Sequence, residues 1–420
     1  MSTYGSLPEG WNEVELMSLA FVITDGAHSS PKPQNQGRFM CSVKDMTYNK
    51  FDFSNVKLIS EEDYQFLRKQ GCAPQKGDLL ISKDGANCLD LLFLYEQDEE
   101  IVLLSSIAIV RLKDTVCKEY VRYFLLSPDC QFIMRNNYVS GSAIPRVVLK
   151  DFKKVPIVLP PLPEQKAIAS VLSSLDDKID LLHRQNKTLE AMAETLFRQW
   201  FVEEAKEDWE DVPLSDYFKV QHGYAFKGEF ITPEPTKYRL VTPGNFEIGG
   251  GFKSAKFKYY STDVIPEDYV FNELDFVVTM TDLSKEGDTL GYPAFIPLHH
   301  KGDVLYLHNQ RVGKVQFHDE KECKLFFYML MKQDVYQQFI VGSCTGTSVK
   351  HTSPTTIGLF TFAKPPQERM QEFDRIVGQQ FAKIFANQKQ IQTLEQLRDT
   401  LLPKLMSGEV RVQYQTQEVA

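Results

Sequence analysis

The sequence predicts an α+β fold made of two tandem globular α+β domains, each followed by a long helix. The two helices are expected to pair as an antiparallel coiled coil with pseudo-two-fold symmetry. Three observations predict this fold. The stretch 164–203 has neither Pro nor Gly and carries an apolar heptad repeat, this stretch occurs a second time, and the segments between mix short apolar runs with turn residues. The predicted boundaries are 1–159, 160–205, 206–363 and 364–410, with a tail at 411–420.

The first domain shows an α+β pattern. Buried strands are predicted at 77–82 and 101–112, where apolar residues follow one another, and helices at 120–127 and 131–136. The segment 25–33 is a polar, turn-rich loop, and 141–146 is a loop that leads to a strand at 155–159.

The first long helix is predicted to begin after the prolines at 160–163, because proline cannot donate a backbone hydrogen bond. At about 1.5 Å per residue it would span roughly 60 Å. Such a helix needs a partner along one side. Its predicted pairing seam, which continues to Trp200, consists of Ile168, Leu172, Leu175, Ile179, Leu182, Asn186, Leu189 and Leu196.

The second domain and helix repeat this plan. Trp209, Val212 and Leu214 repeat the spacing of the apolar residues that open the first domain, and Thr-Leu-Glu at 393–395 repeats 188–190. An internal repeat of this length indicates a tandem duplication. The seam of the second helix is predicted at Phe373, Val377, Ile384, Asn387, Ile391, Leu394, Leu401 and Leu405.

Each seam contains one asparagine where an apolar residue is expected. If the helices pair antiparallel about their midpoints, Asn186 and Asn387 meet in one layer. A buried polar pair costs stability but fixes register and orientation. The alternative is that one or both asparagines lie at a frayed or solvated edge.

The composition limits the cellular compartment and the kinds of functional site that we expect. No apolar run is long enough to span a bilayer, and the polar N-terminus predicts no signal peptide. The seven cysteines are scattered and form no C-x-x-C. We interpret them as reduced thiols of a cytoplasmic protein, with no metal site.

Charge alone argues against a nucleic-acid partner. The formal net charge is −9, and neither half is a basic module. A DNA-binding function would therefore require basic residues gathered on one concave face and acidic residues elsewhere.

The motifs of common catalytic centres are absent. We find no phosphate-binding G-x-x-x-x-G-K-[ST], no G-x-G-x-x-G between a strand and a helix, no H-E-x-x-H and no Asn/Asp-Pro-Pro-Tyr/Phe. His299 and His300 are adjacent and would point to opposite faces of a strand, so a loop feature is the simpler interpretation. Ser343, beside Cys344, lacks a convincing catalytic partner. The chain is predicted to be non-catalytic, with no cofactor and no metal of its own.

Polar loop residues suited to base edges and phosphates occur in both halves. Each of them alone could equally be a solvated loop residue or a turn-former. In the first half the candidates for DNA binding are His28, Lys32, Gln34, Asn35, Gln36, Arg38, Lys83, Ser142 and Arg146. In the second half they are His222, Tyr224, Lys227, Lys253, Thr281, Asn309, Gln310, Arg311, Thr347, Lys350 and His351.

Taken together, these features resemble a known family. Two globular halves separated by a helix that opens with Pro-Pro-Leu-Pro-Glu-Gln-Lys at 160–166 resemble the specificity subunit of type I restriction-modification systems. Further matching segments are 25–28, 141–146, 279–283 and 346–351. The second helix departs from the pattern by opening with Pro-Pro-Gln-Glu-Arg. A second departure is Lys350-His351, which stands where the first half has Pro145-Arg146.

The resemblance implies a function and a set of partners. Each globular half would be a target-recognition domain that reads one part of a split sequence in double-stranded DNA, and the helices would set the gap between the parts. Two methyltransferase subunits would bind the helices, and restriction subunits with an ATP-driven motor would complete the complex. S-adenosylmethionine, ATP and magnesium would belong to those partner subunits.

Two alternatives come from other functional classes. A self-sufficient DNA methyltransferase or nuclease would need a cofactor loop, and methyl transfer by the purified chain alone would reveal it. A coiled-coil scaffold that never meets nucleic acid agrees with the acidic charge, and failure to bind DNA even with methyltransferase partners would support it.

Overall fold

The computed structural model describes residues 3–141, 145–255, 257–282, 284, 287–298, 304–319, 323–347 and 349–413. The chain forms two compact units, one made of Met1–Lys178 and Leu394–Ala420 and the other of Ile179–Thr393. Each unit therefore combines one globular domain with a segment of both long helices. This division differs from the predicted boundaries, which set the helices apart from the domains. The reason is that the helical seams pack into the domain cores.

The first unit is built on a four-stranded antiparallel sheet. Its strands lie in the order Ala20–Asp25, Ile107–Leu112, Leu79–Ser82 and Leu92–Leu94. Every residue of Leu79–Ser82 is buried, because this strand lies inside the sheet with neighbours on both sides. The strand predicted over 101–112 is two strands, since the chain turns at 104–106 between Ile101–Leu103 and Ile107–Leu112.

A smaller sheet and two strand pairs complete the first domain. The smaller sheet pairs Arg38–Cys41 antiparallel with Lys57–Ile59 and parallel with Ile101–Leu103. The pairs are Asn12–Glu15 with Pro156–Leu159, and Val139–Ser140 with Arg146–Val147. The helices of the domain are Glu61–Lys69, Lys118–Leu126, Pro128–Asn137 and Leu149–Phe152, and the 3-10 turns are Leu16–Leu19 and Val43–Asp45.

The second unit repeats this arrangement. Its antiparallel sheet has the order Phe218–His222, Val312–Phe317, Phe276–Thr279 and Pro293–Phe295. Its second sheet has the order Ile231–Thr232, Lys258–Tyr260, Tyr238–Val241 and Leu305–His308, and only the last two strands are parallel. The same mixture of one parallel and otherwise antiparallel pairs occurs in both domains, which agrees with a tandem duplication.

The remaining elements of the second unit are short. Asp211–Pro213 pairs with Thr361–Ala363, and Thr281–Asp282 pairs with Lys350–His351. The helices of the domain are Lys324–Met331, Asp334–Gly342 and Pro354–Gly358, and the 3-10 turns are Leu214–Asp216, Gly228–Phe230, Pro243–Asn245 and Glu267–Tyr269.

Two helices are much longer than the others. The first spans Leu162–Arg198 and ends in a π-helical turn at Gln199–Glu203, and the second spans Gln367–Ser407. Each begins directly after a Pro-Pro pair, where proline is tolerated because the first turn has no intrahelical donors to lose. Among the described residues, no helix combines the length and the apolar character that crossing a membrane requires.

Within each unit the two helical segments run antiparallel. In the first unit Arg398 lies beside Asp176, with Nη1 to Oδ1 at 3.0 Å, and Arg411 lies beside Glu164 at the opposite end. In the second unit Asn387 Nδ2 donates to Asn186 Oδ1 at 2.8 Å. The two asparagines that the heptad register places in one layer are therefore hydrogen-bonded to each other.

The seam residues supply part of each core. Ile168, Leu172 and Leu405 lie in the core of the first unit, together with Leu402, which the predicted seam does not include. In the second unit the buried seam residues are Ile179, Leu182, Phe373, Val377, Ile384, Asn387 and Ile391, whereas Leu189 and Leu196 are partly buried. In the first unit Leu175, Leu394 and Leu401 are partly buried. The sequence prediction missed Ala193, which is small, and Phe197, which lies beside the seam and packs its ring 5.8 Å from that of Phe373.

Candidate functional site

A glycine at the same place in both domains allows two backbone segments to touch. A Cβ on Gly26 would lie 2.2 Å from the carbonyl oxygen of Leu103, and a Cβ on Gly223 would lie 2.2 Å from that of Asn309. No real side chain tolerates this distance, so only glycine fits. These contacts fix the beginning of a polar loop in each domain, the loop that the sequence predicts at 25–33 in the first.

The first domain holds a cluster of charged side chains next to this glycine. Lys83 is buried, with 6% of its side chain exposed, and its Nζ lies 3.3 Å from Asp25 and 3.4 Å from Asp84. The His28 ring nitrogen Nε2 lies 3.2 Å from Asp25 Oδ1. The Arg146 guanidinium donates to Asp84 through Nε at 3.0 Å and Nη2 at 3.4 Å. Five side chains from three parts of the chain thus form one network.

Backbone hydrogen bonds hold this network in place. The Val147 N–H donates to the carbonyl oxygen of Lys83 at 2.8 Å, and the Gly85 N–H donates to that of Pro145 at 2.9 Å. Asp84 and Arg146 therefore lie side by side on antiparallel segments. Neighbouring residues in such a pair have adjacent Cβ atoms, so their side chains meet on the same face.

The second domain has the same backbone arrangement with different side chains. The Thr352 N–H donates to the carbonyl oxygen of Met280 at 3.0 Å, and Thr281 pairs with His351. The Thr281 hydroxyl lies 3.1 Å from His351 Nδ1. His351 therefore stands where the first domain has Arg146, and Thr281 stands where it has Asp84.

A buried carboxylate supports this part of the second domain. Asp282 accepts hydrogen bonds from the Ser284 N–H at 2.6 Å and from the Thr289 hydroxyl at 2.8 Å. Burial raises the pKa of Asp282, but these donors together with the Thr289 N–H lower it by more, so the pKa lies below its usual value. The ionised carboxylate holds its turn together.

The predicted DNA-binding residues of the first domain fall into three groups. The exposed residues are His28, Lys32, Gln34, Asn35, Gln36 and Arg146. Arg38 is partly exposed and engaged by acidic neighbours, with Nε 2.6 Å from Glu61 and Nη1 3.1 Å from Glu100. Lys83 is buried between two carboxylates, so it is not available to contact DNA directly. Ser142 lies outside the described residues.

Most of the predicted residues of the second domain are at the surface. His222, Tyr224, Lys227, Lys253, Gln310, Arg311, Thr347 and His351 are exposed, and Asn309 and Lys350 are partly buried. Asn309 Oδ1 accepts the Arg311 N–H at 3.1 Å and so shapes a turn. Thr281 is buried, and its hydroxyl lies against the exposed His351. His299 and His300 lie outside the described residues.

Sequence reasoning missed the carboxylates of the network and the aromatic residues under Tyr224. Asp25 and Asp84 are negatively charged like DNA, so they are not among the basic and amide side chains that indicate a DNA contact. The Tyr224 ring lies 5.1 Å from Phe226 and 5.3 Å from Tyr269. Behind Tyr269 is buried His308, whose pKa is lowered to about 4 by burial. The separations are typical of aromatic pairs, so Tyr224 presents a supported ring at the surface.

The start of the first helix serves as an anchor. Glu164 is fully buried and accepts from Trp11 Nε1 at 3.2 Å and from Arg411 Nη2 at 2.8 Å. Gln165 accepts the Cys117 N–H at 3.0 Å and donates to the carbonyl oxygen of Pro160 at 2.8 Å. In the second helix Asp374 is the corresponding anchor. It accepts hydrogen bonds from the N–H groups at the start of the helix Lys324–Met331.

No metal site accompanies these networks in the residues that the structure describes. No group of three or more His, Cys, Asp or Glu side chains is arranged there to hold a metal ion. The cluster around Lys83 is internally paired, and its exposed members face outward as hydrogen-bond donors. This arrangement suits binding of a polar ligand surface.

Comparison with known proteins shows what the chain is similar to. The model of the type I restriction modification DNA specificity domain matches residues 8–191. The MjaIX type I restriction enzyme specificity subunit of Methanocaldococcus jannaschii is 29% identical over 321 residues, which cover 72% of this chain and 71% of that protein. The HindI specificity subunit of Haemophilus influenzae is 24% identical and covers 87% and 93%.

A solved structure shares the fold. The S subunit of a type I restriction-modification system from M. genitalium aligns with 96% of this chain and 99% of its own, with a TM-score of 0.55 and 16% identity. The domain match, the relatives that span most of the chain, and the shared fold agree with one another. Residues 8–191 thus match the DNA specificity domain of type I restriction-modification systems, and over most of its length the chain is similar to the specificity subunits of such systems.

Proposed function

We propose that this chain gives a type I restriction-modification complex its DNA sequence specificity, with each globular domain contacting one part of a split target in double-stranded DNA. The single observation that carries this proposal is the duplicated surface site. Both domains build the same backbone frame from a glycine contact and a strand pair, yet they place Arg146 in one and His351 in the other. A common frame with different side chains suits two readers of different sequences.

Exposed cations beside each frame would supply phosphate contacts. Lys32 lies in the polar loop of the first domain, and Lys227, Lys253 and Arg311 lie at the surface of the second. Each phosphate neutralised by such a side chain releases a counterion, so affinity should fall with rising salt. These contacts would position the domains, and the side chains at the frames would read bases. An acidic protein can therefore bind DNA through a local surface.

The helices would bind the methyltransferase subunits. Apolar side chains remain exposed on their outer faces, at Leu181 and Met192 in the second unit and at Leu397 in the first. Exposed apolar residues along a helix otherwise flanked by charges are typical of protein-binding surfaces. We infer two methyltransferase subunits and, in the full complex, restriction subunits. The chain itself would be non-catalytic, and S-adenosylmethionine, ATP and magnesium would be bound by those partners.

Mapping methylated bases in the genome tests this function. Cells that express the methyltransferase subunits should methylate a single bipartite sequence when this chain is present, and none when it is absent. Purified chain alone should transfer no methyl groups from S-adenosylmethionine. Methylation of the same sites without the chain, or methyl transfer by the chain alone, would overturn the proposal.

A further inference from the structure

We propose that Arg146 reads a guanine in the part of the target bound by the first domain, with Asp84 and Lys83 as positioning residues, and that His351 has the corresponding place in the second domain. This inference rests on the proposed function and names the side chains that distinguish one sequence from another. It is carried by the geometry of the Asp25, Lys83, Asp84 and Arg146 network.

The first step concerns the orientation of the Arg146 side chain. Arg146 is exposed over 61% of its side chain, yet its guanidinium is held by Asp84 through two N–H groups. Asp84 is itself fixed, because 13% of its side chain is exposed and Lys83 lies against it. An exposed arginine normally samples many rotamers, and this one is restricted to one orientation. Restricting the rotamers before binding lowers the entropy lost on binding.

The second step concerns the available donors. A guanidinium carries five N–H groups in a planar fork. Asp84 engages the edge formed by Nε and one hydrogen of Nη2. The edge that joins the two terminal nitrogens is turned away from this carboxylate and can present two parallel donors. Two parallel donors match O6 and N7 of guanine in the major groove, which is the commonest specific contact of arginine with DNA.

The third step separates a base from a phosphate. Two cations, Lys83 and Arg146, face two carboxylates, Asp25 and Asp84, so these four side chains together carry no net charge. A phosphate site needs a positive potential, and a carboxylate 3.0 Å from Arg146 Nε opposes it. A base edge is uncharged, so its recognition depends on the direction of the hydrogen-bond donors and not on a positive potential. The charge balance therefore favours guanine.

Lys83 has an indirect role in this scheme. Without it, Asp25 and Asp84 would be two largely buried carboxylates with no buried cation between them. Their desolvation would favour protonation or movement of Asp84, and Arg146 would lose its support. Lys83 thus stabilises the partner of the reading side chain and contacts no base itself.

In the second domain the base would be read by His351, which occupies the position that corresponds to Arg146. His351 is exposed, and its Nδ1 is engaged by the Thr281 hydroxyl at 3.1 Å. The ring nitrogen Nε2 lies on the opposite side of the imidazole and offers one hydrogen bond. One bond discriminates less than a bidentate pair. We therefore expect the first half of the target to be specified more strictly at this position than the second.

Site-directed variants of the chain in complex with its methyltransferase subunits test the proposal. The target is first defined by methylome mapping with the wild-type chain, and duplexes carrying it then serve as probes. R146A should weaken binding to the target roughly 10- to 100-fold and relax one guanine position. It should leave the other half of the target and the binding of unrelated DNA unchanged. R68A, which removes another exposed arginine near an acidic residue of the same domain, should change neither.

R146K and D84N separate the possible roles of the arginine. R146K keeps the charge and loses the planar fork, so a base-reading role predicts the same relaxed guanine position as R146A, whereas a phosphate contact would be restored. D84N should relax the same position while sparing the rest of the target. Equal loss of affinity for all DNA in R146A, or an unchanged methylome in both R146A and R146K, would overturn the inference.

Failure of this inference differs from failure of the proposed function. If the wild-type chain directs no site-specific methylation, the function is wrong. If it does so and the arginine variants retain every base of the target, only the reading role of Arg146 is wrong. Melting temperatures of all variants in the complex show whether loss of fold accounts for a change, and R146K keeps the test decisive if R146A is unstable.

Discussion

At the scale of single residues, burial decides which polar side chains can act. The sequence lists lysine and threonine among candidates for DNA contact by their chemistry alone. The structure buries Lys83 between carboxylates and Thr281 beneath His351, because each follows a buried core strand. Side-chain type is visible in the sequence, whereas burial results from packing that brings Asp25 to Lys83 and Arg146 to Asp84. This part of the site could not be predicted.

The asparagine layer gives a first prediction. Asn387 is 1% exposed and its Oδ1 has no hydrogen-bond partner among the described residues, so the layer sacrifices stability. Replacing both residues, N186L/N387L, should raise the free energy of unfolding by about 1–3 kcal/mol. Guanidinium denaturation measures this, and Q390L on the exposed face of the helix is the control. A double variant less stable than the wild type would contradict the argument.

Buried His308 gives a second prediction. Its pKa is lowered to about 4 from an ordinary 6.5, so the unfolded chain binds more protons between these values. Its contribution is complete above pH 6.5 and is lost as the pH falls toward 4, with a size on the order of 3 kcal/mol. H308Q, which cannot take up this proton, should remove this dependence. Urea denaturation between pH 4 and 7 measures it, and an unchanged slope would refute the assignment.

Asp374 gives a third prediction of opposite sign. Burial raises its pKa to about 6 from 3.8, so the folded chain binds more protons in that range. Its protonated form stabilises the fold below pH 4, and this stabilisation is lost as the pH rises through 6. D374N should therefore steepen the decline in stability on acidification, because the His308 effect is no longer opposed. The same titration in D374N/H308Q should be flatter than in either single variant.

At the scale of elements, the heptad repeat predicted the two long helices but not where they attach to the globular domains. The helices Leu162–Arg198 and Gln367–Ser407 lie inside the ranges 160–205 and 364–410 read from the prolines and the apolar repeat. Their phase is local information, because a 3.5-residue period is set by neighbours in sequence. The hydrogen bonds of Glu164 join residues far apart in the chain, so no local sequence pattern predicts them.

The Glu164 anchor gives a prediction for this scale. Glu164 is fully buried, so R411A would leave an ionised group with less compensation and should lower the free energy of unfolding by roughly 1–3 kcal/mol. E164Q/R411A should recover part of this loss, because the remaining group is neutral. R369A, whose partner Glu204 is half-exposed whereas Glu164 is fully buried, should have a smaller effect. Thermal unfolding compares the three, and equal losses in R411A and R369A would contradict the anchor.

At the scale of the whole molecule, duplication was the most informative signal. The α+β class and the domain-helix repeat that the sequence predicts are confirmed by the fold shared with a specificity subunit. The irregular parts were harder, since the strand expected over 101–112 contains a turn, and loops follow packing more than local pattern. The identity of the DNA bases also remains beyond sequence patterns, because it depends on where loops place a few side chains.

Exchange of a globular domain gives the prediction at this scale. Each domain has its own sheets and its own surface frame. Replacing residues 1–159 by the matching segment of another specificity subunit should change one part of the methylated sequence and preserve the other. Methylome mapping of the hybrid measures this, with the equivalent exchange of 206–363 as its counterpart. Alteration of both parts by a single exchange would show that the domains do not read independently.

The division of the chain into its two compact units has a consequence for biosynthesis. The unit formed by Ile179–Thr393 is continuous, whereas the other needs residues beyond 393 to cover Ile168 and Leu172. Domains usually mature on the ribosome in the order of their translation. Here the segment made first must wait, with an apolar stripe uncovered, until the last helix leaves the exit tunnel. Chains truncated after residue 393 and released from the ribosome should therefore bind chaperones through the earlier half, while the later half is already protease-resistant.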